Sequence, residues 1–124
     1  MPKILVVEDD PQGRYLVCAV LRREGYQVAE ASDGAEALEI VLTERVNLVI
    51  TDLVMPKLNG FEFLEQLHSI SPQMPVIFIT GHHSVVSGKT LLQDVAEIIR
   101  KPFEFEALRS AVQRILTKSA TPRA

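Results

Sequence analysis

The sequence predicts an α/β domain in which one parallel β-sheet lies between two layers of helices. Strand-like and helix-like segments alternate five times along the chain, which is typical of parallel strands joined by crossover helices. The strand-like segments are short and almost continuously apolar, as expected for strands buried on both faces of a sheet. The length of 124 residues fits one domain that is large enough to bury a core.

Each strand prediction depends on an apolar run bounded by turn-forming or polar residues. The first and fourth runs are rich in β-branched residues, and the third ends in a loop that contains Pro56 and the turn pair Asn59-Gly60. The predicted strands are residues 3–7, 26–31, 46–51, 76–80 and 96–100.

The first two helices have recognisable ends. Pro11 suits the first turn of a helix that should run to about Glu24, and Gly25 is a plausible stop. Asp33 and Glu36 have the spacing of a reciprocal N-terminal cap for the second helix. The side chains expected to face the core are Leu16, Val17, Val20 and Leu21 in the first helix and Ala37, Leu38, Val41 and Leu42 in the second.

The later helices differ in how clearly they are encoded. A third helix should follow Gly60, and a fifth should begin before Leu108, because both segments carry apolar residues at helical spacing. Segment 81–95 contains poor helix formers and predicts a short or irregular fourth helix. The expected core residues are Phe61, Leu64 and Leu67 in the third helix and Leu108, Ala111, Val112, Ile115 and Leu116 in the fifth.

Composition excludes several classes of protein. The net charge is -3 without a basic stripe, which argues against nucleic-acid binding by this segment. No apolar run approaches the roughly 20 residues that span a bilayer, and no signal-peptide pattern is present. Cys18 is the single cysteine, so an internal disulfide is impossible. We therefore expect a cytoplasmic protein with no membrane contact.

Polar side chains follow four of the predicted strands, at the point where each strand ends. Glu8 and Asp9 follow the first strand, Asp52 the third, Thr80 the fourth and Lys101 the fifth. In a parallel sheet these carboxyl ends share one edge, where ligands bind. Clustered carboxylates need a cation, and a few oxygen ligands suit Mg²⁺. A carboxylate nucleophile, a metal and a lysine are what phosphoryl transfer to Asp52 requires.

The chain also resembles a known family, the receiver domain of bacterial two-component response regulators. The similarity covers about residues 3–116, and its motifs are residues 4–10, 51–60, 80–81 and 101–103. It implies a flavodoxin-like, doubly wound five-stranded sheet with strand order 2-1-3-4-5 in a three-layer α/β/α arrangement. Ile98 is a departure, since it stands where family members commonly carry a switching Tyr or Phe.

The resemblance implies roles for individual residues. Asp52 would accept phosphate from a sensor histidine kinase or phosphotransfer protein, in a reaction catalysed largely by the receiver itself. Asp9 would bind Mg²⁺ directly, with Glu8 acting mainly through water and the Val54 backbone carbonyl as a further ligand. Asp52 would complete this metal site. The side chains of Thr80 and Lys101 would contact the phosphoryl group, and the Lys101–Pro102 peptide bond would be cis.

The same resemblance implies an organisation and a set of partners. Residues 1–118 would form the receiver domain, and residues 119–124 a flexible tail or the start of a linker. The domain would not be an enzyme in the usual sense, because it would only carry a phosphoryl group and lose it slowly. Its partners would be the kinase and a downstream effector, with a possible homodimer through the fourth helix, fifth strand and fifth helix.

Two other functions remain open at this point. A receiver-like interaction module that never uses phosphate would also fit Ile98 and the irregular segment 81–97. A small phosphatase on a related sheet could use Asp52, but Val54 stands where a general acid would be needed two positions later.

Overall fold

The structure, a computed structural model, describes residues 2–52, 60–81 and 97–120. Five parallel strands form one sheet in the order β2-β1-β3-β4-β5, which confirms the predicted fold class and strand order. The strands are β1 (Lys3–Val7), β2 (Gln27–Ala31), β3 (Leu48–Asp52), β4 (Val76–Thr80) and β5 (Glu97–Arg100). The described helices are α1 (Pro11–Arg23), α2 (Gly34–Thr43), α3 (Gly60–Ile70) and α4 (Phe105–Ala120).

The last described helix, α4, is the one that the sequence predicts as the fifth. The irregular fourth helix was predicted for segment 81–95, and residues 82–96 lie outside the described part of the chain. Helix α4 reaches Ala120, within the segment predicted as a tail, and residues 121–124 lie outside the described part. None of the helices in the described ranges is both long and apolar enough to cross a bilayer.

Helix α1 starts and stops where its sequence signals predict. The side chain of Asp10 accepts a hydrogen bond from the Gly13 backbone N–H at 3.2 Å, and Pro11 occupies the first helical position. Such a cap satisfies one of the N–H groups that a helix start leaves without a partner. Gly25 has φ 93, a left-handed conformation that glycine adopts without steric cost and that turns the chain toward β2.

Helix α2 carries a cap that differs in one detail from the predicted one. The Glu36 N–H donates to the side chain of Asp33 at 2.8 Å, as the predicted reciprocal cap requires. The Glu36 carboxylate, however, accepts the N–H of Ser32 at 2.6 Å, one residue before the cap position. The cap still satisfies two backbone donors at the helix start, so its stabilising role is the same.

Side chains alternate between the two faces of the sheet and so form two separate cores. On one face, α2 and α3 cover the odd-numbered residues of β1 and β3, with Phe63 and Leu67 completely buried. On the other face, α1 and α4 cover the even-numbered residues of the same strands. The second core contains Ile4, Val6, Val17, Cys18, Leu21, Leu48, Ile50, Ile77, Ile79, Ile99, Leu108, Ala111 and Val112.

Two predicted core residues are instead exposed, so those predictions were wrong. Leu16 is 50% exposed and Leu42 is 65% exposed. In α1, Cys18 is buried in place of Leu16, and burial raises the pKa of its thiol to about 11. Cys18 is thus an unreactive core residue.

The difference in burial between two leucines gives a direct test of this packing. We expect Leu67→Ala to lower the free energy of unfolding by about 2–5 kcal/mol, because it leaves a cavity in the core under α3. The same change at the exposed Leu42 should cost less than about 1 kcal/mol. Urea unfolding followed by circular dichroism measures both values, and equal losses would contradict the placement of α2 and α3.

Candidate functional site

The candidate site lies at the carboxyl edge of the sheet, on the side covered by α1 and α4. Glu8 continues the series Ile4 and Val6, and Asp52 continues the series Leu48 and Ile50, all of which face that side. Because side chains in a strand alternate with a period of two, both carboxylates project toward the same helices. Strand register determines that these acidic side chains meet.

Lys101 joins the two carboxylates. Its Nζ atom donates to Asp52 Oδ2 at 2.9 Å and to Glu8 Oε1 at 3.2 Å. The carboxylate side chains are each only 11% exposed, whereas the lysine side chain is 39% exposed. The ammonium group thus lies over two sheltered carboxylates and remains accessible from the solvent.

The electrostatics of the site follow from this enclosure. Burial raises the pKa of Glu8, helped by the nearby carboxylates of Asp9 and Asp52, and the Asp10 N–H and Lys101 only partly offset it. Burial also disfavours the charge on Lys101, but its hydrogen bond to Asp52 and the two carboxylate charges outweigh burial and raise the pKa of Lys101. The site therefore favours an additional positive charge, since one lysine does not fully compensate the acidic groups.

The loop between β1 and α1 is held from several sides. The Glu8 N–H donates to the carbonyl of Ala31, and the Asp10 N–H donates to Glu8 Oε2 at 3.2 Å. Arg14 Nη1 donates to the Glu8 backbone carbonyl at 2.7 Å. Sequence patterns gave no reason to single out Arg14, because an arginine in the first turns of a helix usually faces solvent. Asp9 itself is exposed at the edge of the sheet.

The structure describes the other predicted site residues in different degrees of detail. Thr80 ends β4 and is in register with Arg100 of β5, so its backbone lies at the same edge. A Cβ atom built on Gly81 would be 3.8 Å from the Cβ of Lys101, which shows that these two chain segments run side by side. The Lys101–Pro102 bond is cis, as predicted. Val54 lies outside the described residues.

A cleft of about 470 Å³ opens beside the lysine bridge, between α1 and the chain that leads from β5 into α4. Its size falls within the range of roughly 300–1,000 Å³ that is usual for small-ligand pockets. The cleft gives solvent and ligands a path to the carboxylates. Its lining includes Glu8, Gly13, Leu16, Asp52, Lys101, Phe103 and Phe105.

The donor set at the edge consists of oxygen atoms. Within the described ranges, no three His, Cys, Asp or Glu side chains form a ready-made metal cluster. Magnesium does not require one, because it is usually bound through one or two carboxylates and retains several waters. The enclosed carboxylates of Glu8 and Asp52, with Asp9 beside them, therefore fit Mg²⁺ in ligand chemistry.

Comparison with known proteins identifies one family. The family model for the response regulator receiver domain matches residues 4–113. The Escherichia coli (strain K12) transcriptional regulatory protein GlrR is 36% identical over 118 residues, covering 94% of this chain but 27% of GlrR. The Bacillus subtilis (strain 168) sporulation initiation phosphotransferase F is 34% identical over 119 residues, covering 92% of this chain and 93% of that protein. The chain thus spans about a quarter of GlrR and nearly all of the phosphotransferase.

Solved structures show the same similarity in three dimensions. A response regulator receiver domain protein from Clostridium thermocellum superposes with a TM-score of 0.87 at 30% identity, covering 95% of this chain and 96% of that one. The response regulator TrrA from Thermotoga maritima, solved in complex with Mg(2+)-BeF, superposes with a TM-score of 0.86 at 30% identity. That match covers 93% of this chain and 99% of TrrA.

The enclosure of Glu8 predicts a pH dependence of stability in metal-free protein. Because the pKa of Glu8 is raised above its ordinary value of 4.5, the folded state binds the proton more tightly than the unfolded state. The stability that Glu8 confers is thus present below pH 4.5 and is lost as the pH rises toward the folded-state pKa. Glutamine does not ionise, so Glu8→Gln should not lose this stability. The free energy of unfolding of the variant minus that of wild type should therefore grow as the pH rises and become constant once Glu8 is fully ionised.

Urea unfolding between about pH 4 and pH 8 with a metal chelator measures this difference. The same substitution at exposed Glu39 controls for the loss of one charge. A gap between Glu8→Gln and wild type that stays constant with pH would contradict the electrostatic description of the site.

Proposed function

Because this chain belongs to the response regulator receiver domain family, we propose that Asp52 accepts a phosphoryl group from the phosphohistidine of a sensor histidine kinase or phosphotransfer protein. The observation that supports this assignment is the hydrogen bond of 2.9 Å between Lys101 Nζ and Asp52 Oδ2. It places a positive charge where a phosphoryl group attached to Asp52 would carry negative charge. Asp52 is the nucleophile in this reaction, which produces an aspartyl phosphate.

Such a transfer depends mainly on charge neutralisation and alignment, because in the transition state the phosphoryl group is only weakly bonded to the attacking and leaving atoms. The ammonium of Lys101 supplies one positive charge from β5. Thr80, at the end of the intervening strand β4, contributes its hydroxyl to the phosphoryl oxygens. These residues and Asp52 make the domain the catalyst of its own phosphorylation and of slow dephosphorylation, whereas the family consists of signalling domains and not of classical enzymes.

Magnesium supplies the remaining charge. Glu8, Asp9, Asp52 and the backbone carbonyl of Val54 would hold the ion, with Asp9 bound directly and Glu8 mainly through water. When bound, the ion would supply Lewis-acid chemistry and orient the phosphoryl oxygens. Support comes from the raised pKa of enclosed Glu8, which a cation would relieve, and from the magnesium in the TrrA complex.

The output of this switch is a change in surface. Phosphorylation adds charge at Asp52 and biases the domain between two arrangements that a downstream effector distinguishes. Curated relatives such as GlrR are much longer than this chain, so the effector can be another domain or a separate protein. Residues 1–118 form the receiver unit in this proposal, located in the cytoplasm. A homodimer through the predicted fourth helix, β5 and α4 is a further part of this proposal.

The acceptor assignment is tested with a small phosphodonor such as acetyl phosphate and Mg²⁺, followed by intact mass spectrometry. Wild-type protein should gain one phosphoryl group, and Asp52→Asn should gain none because an amide is a far weaker nucleophile than a carboxylate. Removal of Mg²⁺ with a chelator should abolish labelling of the wild type.

Asp33→Asn is the matched control for the loss of a carboxylate. Asparagine caps helices as well as aspartate does, so this variant should fold and label like wild type. Equal labelling of Asp52→Asn and wild type would disprove the assignment. Partner binding that is unchanged by Asp52→Asn and by removal of Mg²⁺ would instead favour an interaction module that does not use phosphate.

A further inference from the structure

We propose that Arg14 is a positioning residue for the proposed Mg²⁺ site, acting through the peptide that links Glu8 to Asp9. This inference rests on the Mg²⁺-dependent function proposed above. Arg14 contacts neither the acceptor nor any phosphoryl group in the proposal. Its role would be to determine the direction in which the Asp9 carboxylate leaves the backbone.

The geometry begins with the bond from Arg14 Nη1 to the Glu8 carbonyl, at 2.7 Å. That carbonyl belongs to the peptide plane whose other end is the backbone nitrogen of Asp9. On its other side, Glu8 is held by its N–H bond to the Ala31 carbonyl at 3.0 Å. With both bonds in place, the peptide before Asp9 has little freedom to rotate, which holds the Asp9 backbone atoms from which its carboxylate extends.

The guanidinium of Arg14 is itself held in place by a carboxylate on β2. Arg14 Nε donates to Glu30 Oε1 at 3.2 Å, and the second carboxylate oxygen of Glu30 accepts from Arg22 Nη2 at 3.1 Å. The Arg14 side chain is 21% exposed, compared with 51% for Arg22. Glu30 belongs to β2, so this chain of contacts ties the acidic loop to the neighbouring strand. A guanidinium suits this task because its separate N–H groups bond two partners in one fixed plane.

Charge and positioning predict opposite effects at this residue. An arginine near a cation site repels Mg²⁺, so loss of its charge alone should tighten metal binding. Loss of a group that orients a ligand should weaken metal binding instead, typically by tenfold or more. The sign of the change in Mg²⁺ affinity therefore separates the two roles.

The test is a Mg²⁺ titration of the isotopically labelled full chain, followed through the backbone amide signals of residues 8–10. Arg14→Met should weaken Mg²⁺ binding by about tenfold. Arg22→Met is the matched control, because it removes the same charge from the same helix and also loses a bond to Glu30. Its Mg²⁺ affinity should equal that of wild type. Thermal unfolding and amide dispersion verify that both variants are folded.

Two further variants keep the test decisive if Arg14→Met folds poorly. Arg14→Lys retains the charge, but one ammonium cannot hold Glu8 and Glu30 through a fixed plane, so Mg²⁺ binding should again weaken. Glu30→Gln should weaken it to a smaller degree. In all three variants, phosphorylation by acetyl phosphate should slow at low Mg²⁺ and recover at saturating Mg²⁺, because the acceptor itself is unchanged.

The outcomes distinguish this inference from the function on which it rests. Wild-type Mg²⁺ affinity, or tighter binding, in Arg14→Met would overturn the positioning role while leaving the phosphoacceptor intact. Wild-type Mg²⁺ affinity in Arg14→Lys would show that only the positive charge at this position matters, and it would also overturn the positioning role. Wild-type protein that neither binds Mg²⁺ nor accepts phosphate would overturn the proposed function, and the positioning role with it.

Discussion

The bridge formed by Lys101 is the interaction on which the geometry of this site depends. It joins a residue that follows β5 to the carboxylate at the end of β3 and to the one that follows β1, which are 49 and 93 positions earlier in the chain. Strand β4 lies between β5 and β3, so these two strands are two strand spacings apart, roughly 10 Å. The side chains of Lys101 and Asp52 bridge this distance together, with the long, unbranched lysine supplying the larger part, and Gly81 after β4 leaves room beside its stem.

The two-sided core explains why the functional groups collect on one side of the sheet edge. The residues that face α1 and α4 continue directly into Glu8 and Asp52 at the ends of their strands. The same alternation that buries isoleucine and valine along each strand thus carries the carboxylates into a partly apolar setting. This setting strengthens the electrostatic attraction between carboxylate and ammonium, and it also favours the binding of a second cation. The core and the site are consequences of one strand register.

Local signals in the sequence predicted the type and order of the strands and helices that the structure describes. Strands β1 and β4 have the predicted bounds and α1 begins at Pro11, whereas β3 begins and ends later than predicted, at Leu48 and Asp52. Packing was less predictable at the margins of the helices. Leu16 and Leu42 fit the apolar stripes of their helices but are exposed, because the width of sheet that a helix covers depends on how neighbouring elements are arranged. Similarly, Glu36 accepts from Ser32, since the loop conformation before the helix decides which N–H lies within reach.

The sequence by itself determined the alternation of strands and helices, the polar residue types at four strand ends and the starts of α1 and α2, because these depend on contacts between near neighbours. Tertiary structure decided which acidic residue is enclosed against the lysine: Glu8 is buried, and Asp9 is exposed. It also decided that Arg14 would hold the Glu8 carbonyl with help from Glu30. Such contacts depend on the lateral order of strands and on side-chain conformations, and no periodicity along a single chain encodes either of them.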